Sequence, residues 1–179
     1  MGSHELAVVG ASWGGFHALA ALVADIEPET CLAVAMVQHR APGSDDGFPR
    51  FLQGRCRLPL EEVDDKVPIE PGHVYLAPPD YHLLVEPGHF SLSVDVLFET
   101  AADAYGERLV AVVLTGSNDD GCRGLARVKE TGGFVLVQDP ATAERPEMPA
   151  AAVATGLADQ ILPLDQLAAV LNKLGTRDA

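Results

Sequence analysis

Apolar runs alternate along the chain with stretches in which apolar side chains recur at helical spacing. Residues 6–9 are a short apolar run closed by Gly10 and read as a buried strand. Phe16, Leu19, Ala20 and Val23 follow at i, i+3, i+4 and i+7, which predicts a helix with one apolar face. Residues 32–37 form a second continuous apolar run, and residues 41–47 are a Pro/Gly/Ser/Asp loop.

Between residues 58 and 92 the pattern changes. Residues 74–77, 82–85 and 90–92 are short strand-like pieces separated by Pro and Gly turns, which predicts a small antiparallel patch. Ser93 is placed to cap a helix carrying Val94, Leu97, Phe98, Ala101 and Tyr105 on one side. The alternation then resumes with a strand over 109–114, a helix over 121–131 and a strand over 134–137. A loop over 140–149 leads to a short helix near 149–154. The last helix holds Leu167, Val170, Leu171 and Leu174, with Gly175 as its stop. Continuous apolar strands separated by helices imply an α/β fold: a doubly wound, mostly parallel sheet with helices on both faces. Residues 1–5 read as an N-terminal extension or cloning remnant, 6–175 as one domain and 176–179 as a tail.

Composition narrows the function classes. With 47% hydrophobic and 21% charged residues in 179, the chain suits one globular domain with a full core. No apolar run is long enough to span a bilayer, and the first residues lack the pattern of a secretory signal. The cysteines, Cys31, Cys56 and Cys122, have no C-x-x-C spacing, which fits a reducing cytoplasm rather than a disulfide framework or thiolate zinc site. The net charge of −14 disfavours nucleic acid as a partner.

The candidate chemistry lies where apolar strands end. The first runs into Gly10-Ala11-Ser12-Trp13-Gly14-Gly15, the second into Gln38-His39-Arg40, and a later one into Thr115-Gly116-Ser117-Asn118-Asp119-Asp120-Gly121. Catalytic groups in such sheets gather at the carboxyl ends of strands, near a topological switch point. A serine hydroxyl needs a histidine to take its proton and an acid to orient the imidazole. Parallel strands would bring Ser12, His39 and Asp120 to one edge. Gly10–Gly14 satisfies G-x-S-x-G, a weak signal alone. Each residue also has a plainer role: Ser12 as a helix cap or phosphate contact, His39 as a surface residue, Asp120 as a turn. A dinucleotide fingerprint fails, because Ser12 occupies the middle glycine of G-x-G-x-x-G and the second strand ends without an acidic ribose ligand. His73 and His82, nine residues apart, lack a third ligand at a diagnostic spacing and read as structural; no metal is expected. His17 and His89 read as surface residues. Cys122 reads as a small residue facing the sheet.

Across residues 6–174 the sequence resembles the catalytic domain of the chemotaxis methylesterase family CheB. Val9 to Gly15 resembles its G-A-S-T-G-G block, and Val37-Gln38-His39 its Q-H block. Pro71 through His82 resembles its P-G-H-x-Y-x-A-P-x-x-x-H block. Ser93-Val94-Asp95, Thr115-Gly116 with Asp120-Gly121, Gln138-Asp139, Met148-Pro149 and Gly156 continue the series. The resemblance implies a cofactor-free carboxylic ester hydrolase acting on glutamate γ-methyl esters of methyl-accepting chemoreceptor cytoplasmic helices, or a related methylated protein. It also implies deamidation of particular glutamines. Ser12 is then the nucleophile, His39 the general base and Asp120 its orienting acid, with backbone oxyanion donors near Trp13 and Ser117.

Three departures stand out. Trp13 replaces a threonine and is expected to reshape the ester pocket. Ser117-Asn118-Asp119 replaces M-G-x. The segment 86–92 is short and lacks an Arg-Pro before Ser93. A retargeted or non-catalytic binding module is the rival reading. The family's N-terminal receiver domain has no counterpart here, which implies regulation by a response regulator in trans, no such regulation, or a piece of a longer protein. Net repulsion from an acidic substrate predicts association that quickens with salt, unless a basic patch such as Arg40 with Arg123 offsets it.

Overall fold

The computed structural model describes residues 4–38, 40, 47–63, 66–79, 82–93, 97–117 and 122–176, with backbone alone at 82–83, 89–93 and 122–123. The continuous apolar runs become parallel strands because both their faces are covered. β1 (Leu6–Ala11), β2 (Ala33–Gln38), β3 (Leu60–Glu62), β4 (Val74–Leu76), β7 (Leu109–Val113), β8 (Phe134–Gln138) and β9 (Gln160–Leu162) form a sheet of order β3-β4-β2-β1-β7-β8-β9, with every neighbouring pair parallel. The remaining strands, β5 (His82–Glu86) and β6 (His89–Ser93), pair as an antiparallel hairpin.

Alternate residues of β1 feed two separate cores. Ala7, Val9 and Ala11 join the core formed with α1 (Gly15–Ala24), α2 (Phe48–Gln53) and α6 (Leu164–Leu174). Leu6 and Val8 join the core under α3 (Leu97–Tyr105), α4 (Cys122–Glu130) and α5 (Glu147–Ala154). The chain winds outward from β1 through β2 to β3 and β4, then crosses back to β7 on the other side of β1. The topological switch point therefore lies at the carboxyl end of β1.

Several expectations need correction. Residues 74–76 are not in an antiparallel patch: β4 lies inside the parallel sheet between β2 and β3, with Val74, Tyr75 and Leu76 all buried. Only β5 and β6 are antiparallel, and β5 leans on α3 through the Val85 amide, which donates to Thr100 Oγ1 at 3.1 Å. Ser93 pairs with His82 in the hairpin ladder, four positions before the helix it was expected to cap. Val94 lies outside the described residues. Phe16 is not on the buried face of α1: it is 37% exposed, and Ala18, Leu19, Leu22 and Val23 carry that face. β3 and β9 went unanticipated, being three-residue edge strands with no continuous apolar run. Residues 4–5 dock on the fold: the His4 amide donates to Leu174 O, the Glu5 amide to Arg108 O, and Glu5 pairs with Arg108.

Gly175 ends α6 with an ordinary φ of −86° rather than a left-handed one. Its smallness serves close packing, since a Cβ there would lie 2.2 Å from Thr30 Oγ1 and 2.9 Å from Leu32 Cγ. Alanine would gain about 0.4–1 kcal/mol through the unfolded chain, but overpacking costs about 1–3 kcal/mol. Gly175→Ala is expected to lower stability by about 1–2 kcal/mol, read from the urea midpoint at unchanged slope; a stabilised variant would contradict the packing.

Candidate active site

Ser12 follows the last residue of β1, and its backbone is held from both flanking strands. Its amide donates to Thr115 O (3.0 Å) beyond β7. Its carbonyl accepts the Gly15 amide (2.9 Å) and the Gln38 side-chain amide (2.7 Å) from the end of β2. The turn from Ser12 into α1 needs two glycines for different reasons. Gly14 has φ +81°, a left-handed conformation costly for other residues. Gly15 leaves room for Gln38, whose Oε1 would lie 1.8 Å from a Cβ at that position.

Around this turn, buried polar side chains lace adjacent segments together. Thr115 is buried; its Oγ1 lies 3.0 Å from Trp13 O and 3.2 Å from Arg145 O, and accepts the Arg145 amide at 2.8 Å. Gln138, buried at the end of β8, accepts the Thr115 amide at 3.0 Å and donates to Thr142 O at 3.1 Å. Gly116 exchanges backbone bonds with the same loop, donating to Arg145 O (3.1 Å) and accepting from the Met148 amide (2.9 Å). The exit of β7 is thereby fixed beside the serine: a Cβ on Gly116 would stand 3.0 Å from Ser12 Cβ.

The expected site residues can be placed in part. Ser12, half-buried, sits at the switch point as expected. His39 and Asp120 lie outside the described residues. Their chain neighbours converge on the turn: Gln38 pairs with Ala11 in register, and Gly116 packs against Ser12. The amides of Trp13, directly after Ser12 at the end of β1, and of Ser117, beyond β7, meet no acceptor among the described residues. Trp13 is 61% exposed, and the Arg145 guanidinium carbon lies 5.6 Å from its ring centroid.

Arg40 is not an exposed surface cation. Its side chain is 6% exposed, bound to Glu62 (2.8 Å) and to Ala77 O (2.6 Å); the Arg123 side chain lies outside the described residues. His73 is structural, with Nδ1 3.2 Å from Pro71 O and its ring stacked 6.2 Å from Tyr75. His17 is exposed and meets Phe16 edge-on. The side chains of His82, His89 and Cys122 lie outside the described residues. Among the described residues no cluster of three His, Cys, Asp or Glu side chains suits a metal ion. The positioning roles of Gln38, Thr115 and Gln138 were missed, although each is a polar residue just where an apolar strand run stops.

A serine in a tight strand–helix turn at the switch point of a parallel sheet covered on both faces defines an α/β domain with one candidate nucleophile at its rim. Comparison with known proteins gives the family. The CheB methylesterase family description matches residues 7–171, and the chain belongs to that family. It is 38% identical over 96% of its length to a Leptospira interrogans protein provisionally named protein-glutamate methylesterase/protein-glutamine glutaminase, covering 95% of that protein. It is also 38% identical to a Nocardioides protein-glutamate methylesterase/protein-glutamine glutaminase, of which it spans 50%. The fold superposes on the Thermotoga maritima CheB methylesterase catalytic domain with a TM-score of 0.89 at 30% identity, covering 97% of this chain and 100% of that one.

Thr115→Val keeps the shape but strands the Trp13 carbonyl and the Arg145 amide. Unsatisfied buried groups cost about 1–3 kcal/mol, so the variant is expected to unfold earlier in urea by that amount. Proteolysis in the 140–146 loop should also quicken. Wild-type stability and proteolysis rates would show the hydroxyl to be dispensable.

Proposed function

We propose that the chain is a serine methylesterase whose catalytic unit is Ser12, His39 and Asp120, with the Trp13 and Ser117 amides as oxyanion donors. The observation that carries this reading is the Ser12 turn itself. It is pinned from β2 on one side and β7 on the other, so the residues following Gln38 and Ser117 in the chain need little reach to meet its hydroxyl. The substrate is the γ-methyl ester of glutamate on a methylated protein, and more narrowly on chemoreceptor cytoplasmic helices; a glutamine amide at the same place would be deamidated.

The chemistry follows from the roles. His39 takes the Ser12 proton as the oxygen attacks the ester carbonyl, with Asp120 holding the imidazole in the tautomer that accepts it. The oxyanion is received by the Trp13 and Ser117 amides, backbone donors of the kind that stabilise a tetrahedral intermediate. Collapse of the intermediate expels methoxide, which takes the proton from His39 and leaves as methanol. Water, deprotonated by the same histidine, then releases the glutamate carboxylate and regenerates the serine. A glutamine substrate would lose ammonia instead. The exposure of Trp13 beside Arg145 supports a path open to the substrate. Cytoplasmic location follows from the substrate; no helix among the described residues is long and apolar enough to cross a membrane.

A fluorophosphonate probe is expected to label Ser12 in the folded protein and not after denaturation. Ser12→Ala should abolish labelling and lower methanol release from methylated receptor membranes by roughly 10⁴-fold or more. Absence of both labelling and methanol release in the wild type would favour a binding module. Trp13→Thr is expected to change kcat/KM on a small methyl ester less than about tenfold, since Trp13 is exposed; a larger change would assign the indole to the ester pocket.

A further inference from the structure

The basic side chains of this acidic protein fall into two groups. Arg40, Lys66, Arg108, Arg127 and Lys129 pair with Glu62, Glu86, Glu5, Asp103 and Asp159. Arg50, Arg55 and Arg57 are exposed and pair with no carboxylate among the described residues. Residues 47–60 contain no acidic residue at all, in a chain of net charge −14. Arg145 and Lys173 are also exposed without a carboxylate partner among the described residues, but they stand singly, whereas three of these five cations fall within residues 50–57.

That segment is hydrogen-bonded to α2 and linked by aromatic contacts to the helix after the serine turn. Arg50 lies on α2; beyond it, exposed Arg55 and Arg57 alternate with buried Cys56 and Leu58, which anchor the segment to the core. Gln53 ties this stretch to the helix, donating to Leu58 O (3.1 Å) and accepting the Leu60 amide (2.8 Å). The Arg55 guanidinium lies 3.9 Å from the Phe51 ring centroid, Phe51 stacks on Phe16 at 4.6 Å, and Phe16 stacks on Phe48 at 4.7 Å. Phe16 is in the first turn of α1, four residues after Ser12. An aromatic shelf therefore runs from the nucleophile turn to the arginines.

We propose that Arg50, Arg55 and Arg57, with the Phe16–Phe51 shelf, are the docking face for an acidic helix that presents its esterified glutamate to Ser12. The proposal rests on the methylesterase reading and names the feature of the substrate that is recognised. Charge complementarity supports an acidic protein segment. An anionic membrane fits less well, because the Phe16 ring is engaged in stacking on both Phe48 and Phe51 rather than left free to insert. Repulsion from the net charge is screened within roughly 8–10 Å at physiological salt, whereas the arginines act at contact distance. The local face therefore reverses the salt dependence expected from net charge alone.

The test uses the whole chain and two fluorescein-labelled helical peptides, each with one glutamate γ-methyl ester: one rich in glutamate, the other with glutamine at those positions. Fluorescence anisotropy should show the acidic peptide binding at least about tenfold more tightly at low salt, with affinity falling as salt rises. R50E/R55E/R57E should lose about tenfold or more on the acidic peptide while Ser12 labelling and the thermal midpoint stay unchanged; R50Q/R55Q/R57Q, milder in charge, should lose part of it and serves if the reversed variant misfolds. Equal binding of the two peptides, unaltered affinity in the variants, or binding to anionic phosphatidylserine vesicles without peptide binding would overturn the proposal. Salt-sensitive peptide binding without methanol release would sink the esterase reading and leave the docking face. Methanol release indifferent to the arginines would do the opposite.

Discussion

The site depends on one constraint: the backbone at Ser12 is hydrogen-bonded to both neighbouring strands where β1 ends. The Gln38 amide group grips its carbonyl from β2, and Thr115 O receives its amide from beyond β7. A tight turn with a left-handed Gly14 would otherwise be free to relax into a wider loop. Held at both ends, it can place a hydroxyl and an amide at fixed positions on the rim. The absence of a side chain at Gly15 is part of this constraint, because any Cβ there would evict Gln38.

A second layer supports the first. Thr115 and Gln138 are buried polar groups at the ends of adjacent strands, and both reach the 140–146 loop. Buried polar groups are costly unless partnered, so their pairing specifies one arrangement of the three segments. The oxyanion donor assigned to Ser117 depends on this arrangement, since Gly116 is fixed to the loop on one side and packed on Ser12 on the other. Rigidity at this rim comes from satisfied polar pairs, while the strands beneath contribute the burial of two apolar faces.

Electrostatics work on a different scale. The chain carries a large negative charge, and half of its described basic side chains are tied to carboxylates. Among the others, Arg50, Arg55 and Arg57 share a segment without acidic residues, where the local charge has a sign opposite to the whole. Net charge governs long-range approach at low salt, and local charge governs the contact once screening sets in. A protein of this composition can therefore bind an acidic partner without losing the solubility its net charge confers.

The sequence by itself determined the alternation of buried strands and amphipathic helices, because apolar runs and helical spacing are local properties of the chain. It also determined which strand ends carry candidate chemistry, since polar residues after an apolar run mark the rim. It misplaced residues 74–76 because a three-residue strand buried on both faces looks, locally, like a hairpin piece. It put Phe16 in the core because an apolar ring at helical spacing gives no sign of the aromatic neighbours that α2 supplies. Tertiary structure alone decided that Gln38, Thr115 and Gln138 brace the serine turn, that Arg40 is buried and that Trp13 is exposed beside Arg145. These depend on pairing between segments some 22 to 132 residues apart, and no local pattern encodes such contacts.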